Sequence, residues 1–572
     1  MQTNDVELTG PEAPDRTGRV AQGIVVGAVV IAAITVLSRI IGLIRVLVFS
    51  QAIGATCLGS AYLTAFQVPS LVAELALGGA LTSAMIPVLA RSAARAHIDP
   101  AEKERVSQIC SAVLTWSVLI LGPVTIAIAV LAGPIASVLT PANAHAHCPR
   151  GDVVRVTTDM IEVFAPQVLL YGVAVVFIGL LQAYRRFVWP ATAPMAASFV
   201  LIASYLTFTG INQRAPLART PGAAELALSA GTTLSVAALL LVMAVPTFRL
   251  RLKFRAALGL PREVARQVGG LVMVGIVEFV VADLSALVVV ALANGRGETG
   301  ALVLFNYAFL VFNAIFAVLG ISIVTSAFPA LSSRDGEEFD RTCAKSTRAV
   351  LLMSGLGAAV MVAIAAPVAQ VLARQPDQVP ELVGGFVLFA PGLVGASVIA
   401  NLSRVMLATR RYLLAGLALS GSGVVSITAN VILATVAPAH LVVAALALGS
   451  SIGQTVVAVP VVLLTRRTRG AAALQGVGRA GLAGLVAGAV GAVCGACVSV
   501  LIDAEGKLLA VVSAAAACCF AVVAFAIVGY VLDKADAVAV VSKVRELVRQ
   551  RAALGRAPLR IRGELEPGSW LM

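Results

Sequence analysis

Charged side chains are scarce in this sequence. Asp, Glu, Lys and Arg make up 12% of its 572 residues, where soluble domains carry roughly 25%. With 59% hydrophobic residues and a mean hydropathy of +0.96, the apolar surface exceeds what a soluble core can enclose, which excludes a water-soluble enzyme. A GxxxxGK[ST] phosphate loop is missing, so ATP hydrolysis within the chain is not expected. The loops also lack paired Asp-rich diphosphate–metal motifs, which argues against a membrane prenyltransferase. Histidine occurs four times, and the neighbours His145 and His147 have no further ligands around them, so no metal and no cofactor are expected. The eight cysteines form no metal or disulfide framework. Cys494-Gly-Ala-Cys497 has CxxC spacing, but it sits in an Ala/Gly-rich apolar run where small residues serve helix packing. Cys57 and Cys148 both fall in expected outward loops, and the residues alone leave open whether they pair. The first 20 residues are polar and lack a short apolar core with a cleavage site, so a retained cytoplasmic tail is expected.

What the chain does have is a succession of apolar runs, each long enough to cross about 30 Å of hydrocarbon as a helix. The expected spans are 22–48, 60–89, 107–132, 158–183, 190–209, 223–246, 267–293, 300–330, 348–373, 380–407, 412–436, 440–465, 479–502 and 507–532. The expected class is therefore all-α, a polytopic membrane protein of about 14 transmembrane helices. The net charge of +13 is not a nucleic-acid patch, because the bases sit in alternate loops. Loops after even-numbered spans hold 22 Lys and Arg residues, among them Arg249, Arg251, Lys253 and Arg255, whereas loops after odd-numbered spans hold 7. The positive-inside rule then puts both termini on the cytoplasmic side of a plasma membrane.

The chain also repeats itself. Phe164-Ala165-Pro166 precedes Arg185-Arg186 by 21 residues, and Phe389-Ala390-Pro391 precedes Arg410-Arg411 by the same 21. Thr82-Ser83-Ala84 with Pro87 and Arg91 is echoed by Thr325-Ser326-Ala327 with Pro329 and Arg334. Two six-helix lobes of the same orientation follow, 22–246 and 247–465, related by an axis along the membrane normal. Residues 1–21 and 533–572 are left as tails, the latter basic, and 466–532 as two appended helices.

Ionisable residues inside spans cost roughly 2.5–3.5 kcal/mol on insertion scales and normally face a cavity or a partner. Here they are Arg39 and Arg45 in span 1, Glu74 in span 2, Glu278 and Asp283 in span 7 and Arg404 in span 10, joined by Asn306 and Asn313 in span 8. Arg39 is the deepest and is expected to face a cavity; Arg45 and Arg404 lie nearer span ends, where they either line it or extend to headgroups. Arg39, Arg45 and Arg404 are the candidate substrate-binding residues, and Glu74, Glu278, Asp283, Asn306 and Asn313 the candidate polar or ion-coupling groups. Shifting Arg39 by the 243-residue offset between Thr82 and Thr325 lands beside Asp283, so opposite charges from the two halves are expected to share one cavity. A driving force would be an ion gradient, the membrane potential or removal of product.

The stretch Ser38-Arg39-Ile40-Ile41-Gly42-Leu43-Ile44-Arg45, then Gly54-Ala55, Ala65-Phe66-Gln67-Val68-Pro69-Ser70-Leu71, Pro87-Val88-Leu89, Asn306-Tyr307 and Pro329-Ala330-Leu331-Ser332, resembles the MurJ (MviN) family of the MOP exporter superfamily, in particular its actinobacterial members. The resemblance covers roughly residues 22–532. It implies a lipid II flippase of peptidoglycan synthesis that handles a lipid-linked glycan among membrane lipids, alongside cell-wall synthesis machinery and without nucleic acid. It further implies two lobes around a cationic cavity and a groove for the polyprenyl tail on the last two helices. Arg39 and Arg45 match the family's arginines, whose planar forks suit a diphosphate. The sequence departs from the family at Ala73 and Glu74, where basic residues are expected, and at Leu310 and Asn313, in place of an arginine and a glutamate. Another polyprenyl-linked glycan is an alternative cargo. A MATE-like exporter using Glu74, Glu278 and Asp283 as ion sites, and a membrane scaffold acting through the basic segment Lys534–Arg562, are the other readings.

Overall fold

A computed structural model describes residues 16–77, 89, 92–93, 95–96, 98–212, 215, 217–259, 262–502 and 506–534. The described chain is helical throughout its spans, because a backbone surrounded by lipid must satisfy its own N–H and C=O groups. The helices are α1 (Arg16–Ala52), α2 (Cys57–Leu77), α3 (Pro100–Val130), α4 (Arg150–Ala183), α5 (Val188–Asn212), α6 (Gly222–Phe248) and α7 (Arg262–Arg296). They continue with α8 (Ala301–Ser332), α9 (Gly336–Ala363), α10 (Gln378–Ala408), α11 (Tyr412–Val436), α12 (Val442–Arg469), α13 (Val477–Ile502) and α14 (Lys507–Leu532). Thirteen of them contain stretches long and apolar enough to cross a membrane. The other, α2, occupies the expected span 60–89, of which residues 78–88 lie outside the described residues; so does the Thr82-Ser83-Ala84 motif.

The chain packs as two six-helix lobes with the same internal scheme. In the first, α1 lies on α5, α5 on α6, α6 on α4, and α4 carries α2 and α3; in the second, α7 lies on α11, α11 on α12, α12 on α10, and α10 carries α8 and α9. The appended α13 and α14 pack on each other and on α9.

The repeated motifs have matching backbones. Arg185 and Arg410 both adopt left-handed φ, 57° and 58°. At each, the next amide bonds a carbonyl five residues back: Arg186 N to Leu181 O at 2.8 Å and Arg411 N to Met406 O at 2.9 Å. Both helices thus end in the same C-capping turn, with arginine where glycine is usual. Prolines set further parallel breaks. Pro134 and Pro367 lack the N–H that would continue α3 and α9, so each chain turns, at Leu131 and Ile364, into a short helix, Ala132–Leu139 and Ala365–Leu372. The match is not complete: the helix of α4 is interrupted at Ala165 before Pro166, while α10 runs through Pro391.

Glycine sets the closest helix approaches. A Cβ on Gly355 of α9 would stand 2.8 Å from Gly484 O of α13, and one on Gly395 of α10 would stand 2.6 Å from Gln454 O of α12. Gly495, between Cys494 and Cys497, packs against Ala363 and Ala517, and both cysteines are free thiols, in keeping with a packing role for that run. Cys57 and Cys148 do pair, with Cα atoms 5.8 Å apart, tying the start of α2 to the loop before α4. A sequence separation of 91 hides that proximity from any local pattern. The basic segment after α6 is seated rather than loose. Ser107, Ser111 and Thr115, one turn apart on α3, bond the backbone of Lys253, Arg255 and Ala257 in succession.

Candidate functional site

A cavity of about 1230 Å³ lies between the two lobes. It is lined by α1, α2 and α5 from one side and by α7, α8, α10, α11 and α12 from the other. On α8 the lining runs from Leu302 to Phe328, roughly 39 Å of helix at 1.5 Å per residue, so the cavity follows most of the membrane thickness.

One end is shut by bonds between the lobes, where α1 and α7 finish and α2 and α8 begin. Asn143 donates to Asn294 O and Gly297 O, both at 2.8 Å, and Asn294 donates back to Thr64 Oγ1 at 2.8 Å and Leu139 O at 2.9 Å. Arg374 reaches Ile53 O at 3.1 Å and Gln378 reaches Ala55 O at 3.0 Å. Gly300, at φ 88°, lies flat on Ala55, whose backbone would be 2.5 Å from any added Cβ. Among the described residues, the side-chain hydrogen bonds that join the two lobes gather at this end, apart from those that seat the segment after α6 on α3.

Of the expected site residues, Arg45, Arg404, Asn306 and Asn313 line this cavity together. Arg45 and Arg404 are its charged residues among those described, one from each lobe, and Arg404 also stands 5.7 Å from the Phe328 ring centroid. Asn306 and Asn313 are exposed, and their side-chain amides form no hydrogen bond with another described side chain or backbone group. Arg39 is exposed but is not part of the lining. The wall of α1 consists of Arg45, Val46 and Phe49. Arg39 lies roughly 9 Å toward the N-terminus along the axis and about 120° around from Arg45. Asp283 is half-buried on α7 between the lining residues Ala282 and Ser285 without lining the cavity itself. Glu74 and Glu278 belong to α2 and α7, and their side chains lie outside the described residues.

The feature that charge-hunting in the sequence passes over is aromatic. Phe305, Phe309, Phe312 and Phe316 form a rail along α8, with successive centroids 6.1, 6.2 and 6.2 Å apart and nearly parallel planes. Behind it sits Phe389 of the Phe-Ala-Pro motif, 5.3 Å from both Phe305 and Phe312. The first lobe repeats the arrangement in shorter form: Tyr62 and Phe66 stack at 6.3 Å on α2, with Phe164 of the matching motif 5.8 Å from Tyr62. Adding 243, the offset already visible between Thr82 and Thr325, carries Tyr62 to Phe305 and Phe66 to Phe309. That was the available signal. Tyr62 also bonds the hydroxyls of Tyr205 and Thr232 at 3.2 and 3.0 Å, which holds its ring at the wall. In α8 a π-helical stretch, Phe316–Ile321, follows the rail, a form frequent at functional sites.

Two similar helical lobes around a membrane-spanning cavity, closed at one end and carrying one arginine from each lobe, define a polytopic transporter fold. The chain belongs to the MurJ family: the family described as Lipid II flippase MurJ matches residues 49–516. Among curated proteins, it is 26% identical over 343 residues to the lipid II flippase MurJ of Burkholderia cenocepacia, a match covering 59% of this chain and 63% of that protein. It is 23% identical over 186 residues to the probable lipid II flippase MurJ of Borreliella burgdorferi, covering 32% and 34%. The matched stretches thus span less than two thirds of these relatives. Among solved structures, a lipid II flippase MurJ in an inward closed conformation superposes with TM-score 0.69 at 14% identity, covering 88% of this chain and 99% of the other. An inward-facing multidrug resistance MATE family transporter of the MOP superfamily gives 0.62 at 15% identity, covering 78% and 98%. At such identities the likeness is one of fold.

Proposed function

We propose that the chain is a lipid II flippase, a transporter and not an enzyme, which carries an undecaprenyl-diphosphate-linked glycopeptide from the cytoplasmic to the outer leaflet by alternating access. The observation that carries this reading is the cavity with Arg45 and Arg404 as its charged lining residues. Guanidinium groups contributed by both lobes suit a diphosphate that must be held while the lobes rock, and they repel the organic cations a MATE-like exporter would take. In this reading the lobes are 22–246 and 247–465, both termini are cytoplasmic, and the closed end faces outward. Arg39, exposed below Arg45, meets the headgroup at the mouth. Glu74, Glu278 and Asp283 serve charge balance or ion coupling, and 466–532 provides the surface for the polyprenyl tail. Coupling runs on an ion gradient or the membrane potential, and cell-wall synthesis enzymes take the delivered product.

The test is depletion of the protein in its host, followed by analysis of the lipid-linked intermediates on each face of the membrane. Lipid II accumulating on the inner face supports the proposal. Accumulation of a different polyprenyl-linked glycan reassigns the cargo, and unchanged lipid pools with altered drug efflux would favour the MATE-like reading.

A further inference from the structure

The aromatic rail has no part in binding a diphosphate. A pyranose ring offers an apolar face of C–H bonds and an edge of hydroxyls, so a protein that binds it pairs a flat aromatic surface with amides that donate and accept together. On α8 the residues Asn306, Phe309, Asn313 and Phe316 follow at spacings of three, four and three, which brings all four to one helix face. All four line the cavity. Phe309 is 43% exposed although the rings stacked directly on it, Phe305 and Phe312, are buried, so it is held by its neighbours and still presented to the cavity. The amides one turn either side of it form no hydrogen bond with other described residues. On α2, Phe66 and Gln67 line the same cavity and repeat the aromatic–amide pairing from the opposite lobe.

Resting on the flippase reading above, we propose that Phe309, flanked by Asn306 and Asn313 and matched by Phe66 and Gln67 across the lobes, is the subsite for the sugar rings of the cargo. Arg45 and Arg404 then hold its anionic part. The α8 lining residues Asn306, Phe309, Leu310, Asn313 and Phe316 are uncharged, so this face offers the glycan stacking and amide hydrogen bonds and no ionic contact.

The experiment compares two probes on the purified full chain in nanodiscs: lipid II, which carries the disaccharide, and undecaprenyl diphosphate, which carries no sugar. Binding is measured as the ratio of the two affinities on one preparation, so that any misfolded fraction cancels. Wild type is expected to prefer lipid II. Phe309→Leu, which keeps apolar volume but removes the flat face, should lower that preference about tenfold, and Phe309→Tyr should retain it. Asn313→Leu should lower it by about fivefold through lost hydrogen bonds. An unchanged ratio in Phe309→Leu, or equal weakening of both lipids, overturns the sugar subsite and leaves the flippase reading intact. Failure of wild type to bind either lipid overturns the flippase reading itself.

Discussion

The two lobes share one packing scheme yet differ in what holds them and in what they show the cavity. The first is stapled by Cys57–Cys148, and its α4 is interrupted at Ala165. The second is braced from outside by α13, and its α10 runs unbroken through Pro391, packed so closely on α12 that Gly395 leaves no room for a Cβ. Each lobe lends one arginine and an aromatic wall to the cavity, but the rail has four rings on α8 where α2 has two. The duplicated scaffold therefore keeps its helix contacts, while stapling, rigidity and cavity chemistry have diverged. In a rocking-lobe transporter this asymmetry would make the second lobe the firmer body and the first the one that depends on its covalent link.

Replacing both Cys57 and Cys148 by Ser tests the staple. The first lobe should lose about 2–5 kcal/mol, read as a lower melting temperature that matches reductant-treated wild type and no longer responds to reductant, whereas Cys343→Ser in the second lobe keeps the staple and should keep the wild-type response to reductant. Equal melting of all forms would remove the asymmetry. Arg45→Ala and Arg404→Ala test the shared cationic ends. Each should cost about 2 kcal/mol or more in cargo binding, roughly 30-fold in affinity, and fail to complement a depleted strain at normal membrane levels. Arg39→Ala should have the smaller effect of a residue at the mouth; an Arg39 effect as large as that of Arg45 would move the binding position down α1. Gly395→Ala should destabilise by about 1–3 kcal/mol because Gln454 cannot yield, while Gly122→Ala on α3, with nothing within 4 Å, should not destabilise in the same unfolding assay. The smallest effect is expected where the copies agree most. Arg185→Gly and Arg410→Gly each relieve a left-handed residue and should stabilise by about 1 kcal/mol to the same extent; unequal shifts in melting would show that the two capping turns are not equivalent.

Much of the fold was legible because membrane insertion is read locally. Runs of apolar residues in 412–436 or 479–502 answer only to the hydrocarbon around them, so span positions emerge from composition alone. The Phe-Ala-Pro and Arg-Arg repeat was legible for the same reason, as were glycine runs meant for close packing. The site was only partly legible. Charged residues in spans drew attention to Arg45 and Arg404, but the same rule favoured Arg39, which lies outside the cavity lining. The rule also had nothing to say about Phe309, an ordinary apolar residue in a span.

The amino-acid sequence by itself determined that this chain spans a membrane many times, that its bases alternate between loops and that it is built from a duplicated six-helix unit, since each of these depends on neighbours along the chain. Only the tertiary structure decided which arginine reaches the cavity, which cysteines pair across 91 residues and which phenylalanines present a face between the lobes. Those outcomes depend on how each helix is turned about its axis and on which lobe lies opposite. A step of 100° per residue separates adjacent positions into different surroundings, and only the packed bundle assigns each of those directions to lipid, core or cavity.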